Sequence, residues 1–319
     1  MSLLGAAATL CSTRSRAQPQ SRTYIIGYLA PARLPHVIEA LQDGLRKLGY
    51  IEGQNLNIEY RFLQGASATL DALAAELVHL HSDIIITQGT PALIAAKQAT
   101  RTIPIVMAAA GDPLGSGIVA SLAHPGGNVT GFTLYGAELA GKRVALLNEA
   151  VPGIASIGVL GNAKNPLHTQ LLWPQTRAAS LSLGLEARLF TVHEPAELSG
   201  AFESMARDHA GGLVVLADVL FISERRTIIG LAAQHRLAAI YEEREFAADG
   251  GLLSYGPNVP ELARHSAIFV DKILRGTKPS DLPIEQPTEF ELVINLKTAK
   301  ELGLTIPDKM LTVADEVIE

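Results

Sequence analysis

Ile84-Ile85-Ile86-Thr87-Gln88-Gly89-Thr90-Pro91-Ala92 and its echo, Ile103-Pro104-Ile105-Val106-Met107-Ala108-Ala109-Ala110-Gly111-Asp112-Pro113, decide how this chain is read. Each is a short apolar run that halts at small, polar and proline residues, with a helix-like stretch behind it. A strand that is apolar along its whole length, rather than at alternate residues, is buried on both faces. That is the condition of a parallel sheet covered by helices. At the strand end Gly89 lets backbone approach a guest, Thr90 offers a hydroxyl, and Pro91 suits the first position of a helix. The free N–H groups of that helix start then face the crevice beyond the strand ends, where open α/β sheets bind small molecules.

Outward from this pair the same alternation continues. Strands are expected at 24–29 and 56–62, with helices over 37–48 and 70–80 between them and the quoted runs. After the turn signal Pro125-Gly126-Gly127-Asn128 and a strand at 129–133, the pattern starts again. Helices are expected at 139–151, 166–183, 195–208 and 223–235, the last capped by Ser223, and strands at 157–160, 185–192, 213–216 and 238–241. Gly250-Gly251 interrupts the series, a helix is expected over 259–274, and the Pro-rich stretch 277–287 reads as a linker before a last strand and helix. The fold class is therefore α/β, with two similar lobes that each carry a parallel sheet and a chain that passes between them more than once. The breaks place lobe 1 at 24–131 plus 250–280 and lobe 2 at 132–249 plus 281–319, with hinge residues at Gly131, Asp249 and Ser280.

The 319 residues, 48% apolar and 18% charged, supply ample core for two domains. A net charge of -6 leaves no basic stripe and argues against nucleic acid as a partner. The single cysteine, Cys11, excludes an internal disulfide and a multi-cysteine metal site. Residues 1–23 read as a signal-peptide-like or disordered N-terminus: an apolar stretch from Leu3 to Leu10 precedes Ser15-Arg16-Ala17, a small-x-small export site, although the usual basic start is missing. No GxGxxG, Walker, GxSxG or HExxH motif is present. His79-Leu80-His81 is too close-set for a metal site. No catalytic residue, metal or cofactor is expected. Glu242-Glu243-Arg244-Glu245 reads as a solvated, self-compensating charge cluster beside a strand end.

For a small guest in this crevice, the helix starts at Ala32 and at Gly89-Thr90 suit an anionic group, Asp112 and Asp218 suit a cationic one, and Tyr135 and Tyr241 suit an apolar part. Two other readings of the same cleft are a small-molecule-sensing regulator domain and an enzyme, a hydrolase or isomerase, working through Asp218 and Glu242.

Several longer motifs resemble one family. They are Arg46-Lys47-Leu48-Gly49-Tyr50-Ile51-Glu52-Gly53-Gln54-Asn55, Gly111-Asp112-Pro113 and Pro125 to Gly131, then Gly250-Gly251-Leu252-Leu253-Ser254-Tyr255-Gly256, Asp281 to Thr288 and Phe290 to Lys300. Together they resemble the ABC-transporter substrate-binding proteins, including the tryptophan-binding TrpX-type receptors. The resemblance implies a type I periplasmic-binding-protein fold of two Rossmann-like lobes with a three-stranded hinge, an exported periplasmic receptor that closes on a small ligand such as an aromatic or apolar amino acid, and an ABC permease as partner. Glu242-Glu243, where relatives often carry an aromatic second residue, leaves the ligand open.

Overall fold

The computed structural model describes residues 22–64, 68–111, 113–134 and 137–319. Asp112, Tyr135 and the export-like segment through residue 21 lie outside the described residues. The chain begins with β1 (Tyr24–Ala30), α1 (Pro35–Lys47), β2 (Leu56–Phe62), α2 (Leu70–His79), β3 (Ile84–Gln88), α3 (Thr90–Ala99), β4 (Ile105–Ala110) and β5 (Val129–Thr133). It continues through α4 (Ala137–Ala150), β6 (Ser156–Asn162), α5 (Pro166–Ser182), β7 (Glu186–Val192), α6 (Leu198–Arg207) and β8 (Gly212–Val215). Next come α7 (Val219–Ser223), α8 (Arg225–Gln234), β9 (Ala238–Tyr241), α9 (Arg244–Ala248) and β10 (Leu253–Gly256). The last elements are α10 (Val259–Leu274), β11 (Ile284–Glu285), β12 (Glu291–Asn295), α11 (Leu296–Glu301), α12 (Asp308–Val313) and β13 (Glu316–Ile318).

These form two sheets, in the orders β11-β5-β4-β3-β1-β2 and β13-β12-β10-β9-β8-β6-β7. The pairings are parallel apart from β10 with β12. Burial explains the strands that opened the reading. All five residues of β3 and all six of β4 are buried, as central strands with helices on both faces require. By contrast β2 pairs only with β1, and it buries Leu56 and Ile58 while Asn57 faces out. In α1, Val37, Ile38, Leu41 and Leu45 recur at helical spacing and are buried, with α10 packed alongside.

The lobes are not consecutive halves. The chain leaves the first sheet after β5, comes back between β10 and α10, and leaves again between β11 and β12. The expected switches at 250 and 280 are thus displaced. Leu253–Gly256 pairs with β9 and β12 in the second sheet, and Ile284–Glu285 pairs with β5 in the first. Gly250-Gly251 is a tight return inside one lobe, needed because a Cβ at Gly251 would stand 2.6 Å from the Tyr241 ring. Residues 284–285, read as linker, make a two-residue strand too short to show any periodicity.

The three expected hinge residues lie within the lobes. Gly131 sits inside β5, in register with Met107 and Ile284. Asp249 follows α9 and accepts from Arg225 Nε at 2.8 Å. Ser280 belongs to the short 3₁₀ turn Pro279–Asp281. Another difference concerns Ser223. It ends α7 rather than starting a long helix, and Asp218 is the cap.

Candidate functional site

A cleft of about 320 Å³ lies between the two lobes. Its lining follows from the topology, because nearly every lining residue stands at or just past the carboxyl end of a parallel strand. The first lobe contributes Pro31 and Ala32 after β1, Gln88, Gly89 and Thr90 where β3 meets α3, Ala109 and Gly111 at the end of β4, and Leu134 after β5. The second contributes Asn162, Asn165 and His168 between β6 and α5, His193 after β7, Asp218 after β8 and Glu243 after β9.

On the first lobe, Gly89 is the residue before α3 and has φ +81°, a conformation that favours glycine. Its N–H is held by the Ala109 carbonyl at 2.8 Å. The Thr90 hydroxyl accepts from Gly111 N at 3.0 Å, so its own proton remains to donate. Behind them the buried Tyr28 hydroxyl donates to Gln88 Oε1 at 2.6 Å, fixing that amide at the cleft floor.

On the second lobe, Asp218 is the organising group. Its Oδ1 accepts from Asn162 Nδ2 at 2.9 Å and from Leu220 N at 2.9 Å, and its Oδ2 accepts from Asn165 Nδ2 at 2.8 Å. One carboxylate thereby caps α7 and aligns two amides, each bond being of the stronger, charge-assisted kind. His168 is buried next to this group, and its ring is held by the Ala217 carbonyl. Burial lowers its pKa below the ordinary histidine value, against the opposing pull of Glu242 and Asp218.

Glu242 and Glu243 are the main surprise. Both are buried, so the expectation of a solvated charge cluster fails. Glu242 pairs with the fully buried Arg143 of α4 at 2.9 Å, and Arg143 Nε also donates to the Tyr255 carbonyl at 2.8 Å. The countercharge comes from almost a hundred residues away, so the local sequence cannot reveal it. Burial, with Glu245 and Glu242 adding to it, raises the Glu243 carboxyl well above the ordinary range, and its Oε2 has no partner.

Of the expected ligand residues, Ala32, Gly89, Thr90 and Asp218 stand together on the cleft wall. Tyr241 does not: it is buried and stacked on Phe246 at 4.3 Å between centroids, because β9 points it into the lobe core. Asn162, Asn165, His168, Gln88 and Glu243 are not among the ligand residues expected from the sequence. Their type alone carries no signal, although Gln88, Asn162, Asn165 and Glu243 lie within a few residues of an expected strand end and His168 stands in the first turn of the helix that follows. The rest of the wall is mainly apolar, with Leu63, Leu70, Leu134, Val219, Leu220 and Ile222, and it also carries Lys164, His193, Glu194 and Glu224.

The lobes meet across this cleft. A Cβ at Gly89 would lie 3.0 Å from Val219 Cγ2, and one at Gly111 would lie 2.7 Å from His168 Nδ1. A small polar end beside an apolar wall, enclosed from both sides, suits one small amphipathic solute.

Comparison with known proteins agrees with this geometry. Residues 29–318 match the family described as ABC transporter substrate binding protein. A tyrosine-binding protein of Clostridioides difficile (strain R20291) is 27% identical over 267 residues, spanning 84% of this chain and 75% of that protein. A conserved domain protein from Vibrio cholerae superposes with a TM-score of 0.86 at 28% identity, covering 93% of this chain and 100% of the other. An ABC domain from Streptococcus pneumoniae, solved in complex with L-Trp, gives a TM-score of 0.85 at 27% identity with the same coverage. The fold is that of the type I periplasmic binding proteins, and the chain belongs to the ABC transporter substrate-binding protein family.

Proposed function

We propose that this protein is an extracytoplasmic receptor that closes its two lobes on an aromatic amino acid and presents it to an ABC permease. The observation that carries this reading is the division of the cleft. It holds the Gly89-Thr90 start of α3 and the Asn162–Asp218–Asn165 cluster beside an aliphatic group of Leu63, Leu70, Leu134, Val219, Leu220 and Ile222, with Lys164, His193, Glu194 and Glu224 also on the wall. First-turn N–H groups of a helix and the Thr90 hydroxyl suit a carboxylate. The Asp218 carboxylate suits an ammonium, and Leu63, Leu70, Leu134 and Ile222 suit a flat apolar side chain. The tyrosine- and tryptophan-binding relatives support an aromatic solute. Two or three charge-assisted bonds at roughly 1.5–3 kcal/mol each, with burial of a ring, suffice for the approximately -8 kcal/mol of micromolar binding. No covalent step is proposed.

The test is calorimetry of the purified chain against a panel of L-amino acids, with the solute recovered and analysed afterwards. Binding of tyrosine, tryptophan or phenylalanine, returned unchanged, is expected. Binding of none of the panel overturns the ligand class, and conversion of the solute overturns the receptor reading in favour of an enzyme.

A further inference from the structure

Beside the cleft, three side chains from both lobes converge. Among the described residues, His36, Glu243 and Glu245 form the one group of three such side chains whose donor atoms all lie within 4.8 Å of one another. His36 is the second residue of α1 in the first lobe, whereas Glu243 and Glu245 flank the start of α9 in the second. Their spacing carries more weight than the acidic character of the cluster. His36 Nε2 stands 3.9 Å from Glu245 Oε1, too far for a hydrogen bond. Two donors each about 2.1 Å from one ion are separated by roughly 3–4 Å.

An independent observation points to a missing guest. Glu243 is only 5% exposed, and its Oε2 has no hydrogen-bond partner. The same holds for the buried His36 Nε2. Buried polar atoms in folded proteins are nearly always paired. Both residues belong to the cluster that spans the lobe boundary, with the Glu245 carboxylate beside them. The neighbouring cation, Arg225, does not fill the gap: its Nε is held by Asp249 Oδ2 at 2.8 Å.

We propose that His36, Glu243 and Glu245 form a divalent-cation site that joins the two lobes. One imidazole and two carboxylates suit a first-row divalent ion such as zinc, with the fourth position taken by water. Two negative charges compensate the ion, and both orphaned atoms gain a partner. Because the ligands belong to different lobes, the ion binds the closed arrangement and draws the equilibrium toward it. Glu243 also lines the solute cleft, whereas His36 and Glu245 do not, so variants of these two test the ion without touching the solute wall.

The experiment uses the tag-free full chain, stripped with EDTA and dialysed, titrated with zinc chloride in a calorimeter and followed by small-angle scattering. One ion per chain is expected, with a smaller radius of gyration in zinc alone. His36→Ala and Glu245→Gln should each weaken zinc at least tenfold and leave amino-acid binding in EDTA unchanged. Zinc affinity equal in wild type and the His36→Ala/Glu245→Gln double variant overturns the site, as does the absence of binding heat. Binding without contraction overturns the bridging role. A Glu243→Gln variant that loses amino-acid binding but keeps zinc assigns the orphaned oxygen to the solute instead.

Discussion

At the residue scale, Asp218 does three things with one carboxylate: it caps α7 and holds the amides of Asn162 and Asn165. Asp218→Ala should therefore act twice. It should weaken an aromatic amino acid by tenfold or more in calorimetry, and it should lower stability by about 1 kcal/mol through the lost cap. Unchanged affinity with a lower melting temperature would confine Asp218 to the cap. His168 gives a second test. Its folded-state pKa is depressed, so the unfolded chain takes up a proton first as the pH falls below about 6.5, and the stability contributed above that pH is lost. His168→Gln should flatten the acid side: between pH 7.5 and 5 the wild type should lose more melting temperature than the variant. Parallel curves would contradict a buried neutral imidazole. Asp218 was legible because an acid after a short β-branched strand is a local signal. His168 was not, because its importance comes from Glu242 and Asp218 on other strands.

At the element scale, what the sequence showed depended on length. β3 and β4 announce themselves through unbroken runs of buried residues, and α10 through its amphipathic pattern over 259–274. Short elements did not. The five-residue α7 and α9, the two-residue β11 and the three-residue β13 are too brief for a period to register, and tertiary pairing makes them. Tyr241 shows the related limit on side chains, since the alternation of a strand names two faces without saying which one meets the cleft. The junction of β4 with the loop behind it supplies a sharper test. Gly111 packs against Thr90 of its own lobe and faces His168 of the other, with a would-be Cβ at 2.6 Å from Thr90 Oγ1 and 2.7 Å from His168 Nδ1. Gly111→Val should hinder closure and cut solute affinity at least tenfold, about 1.4 kcal/mol, while far-ultraviolet circular dichroism stays native. Wild-type affinity in that variant would show that the lobes do not need to meet there.

At the scale of the whole molecule, two sheets, each with its strand carboxyl ends turned to one cleft, follow from the strand–helix alternation that the sequence displays. The three passages between lobes were visible in number, but only the first, after β5, was visible in position. Gly250-Gly251 advertises a break, yet it serves a turn within one lobe, and the true passage comes after Gly256. Three thin connections leave the lobes free to move as bodies about a small set of backbone torsions, the ordinary route of hinge closure. The central claim is that a solute is held by both lobes at once. Small-angle X-ray scattering of the EDTA-treated protein, with and without L-tyrosine or L-tryptophan at a concentration shown by calorimetry to saturate it, tests this most directly. A smaller radius of gyration with the amino acid bound is the expected result, and superimposable profiles at full saturation would contradict it.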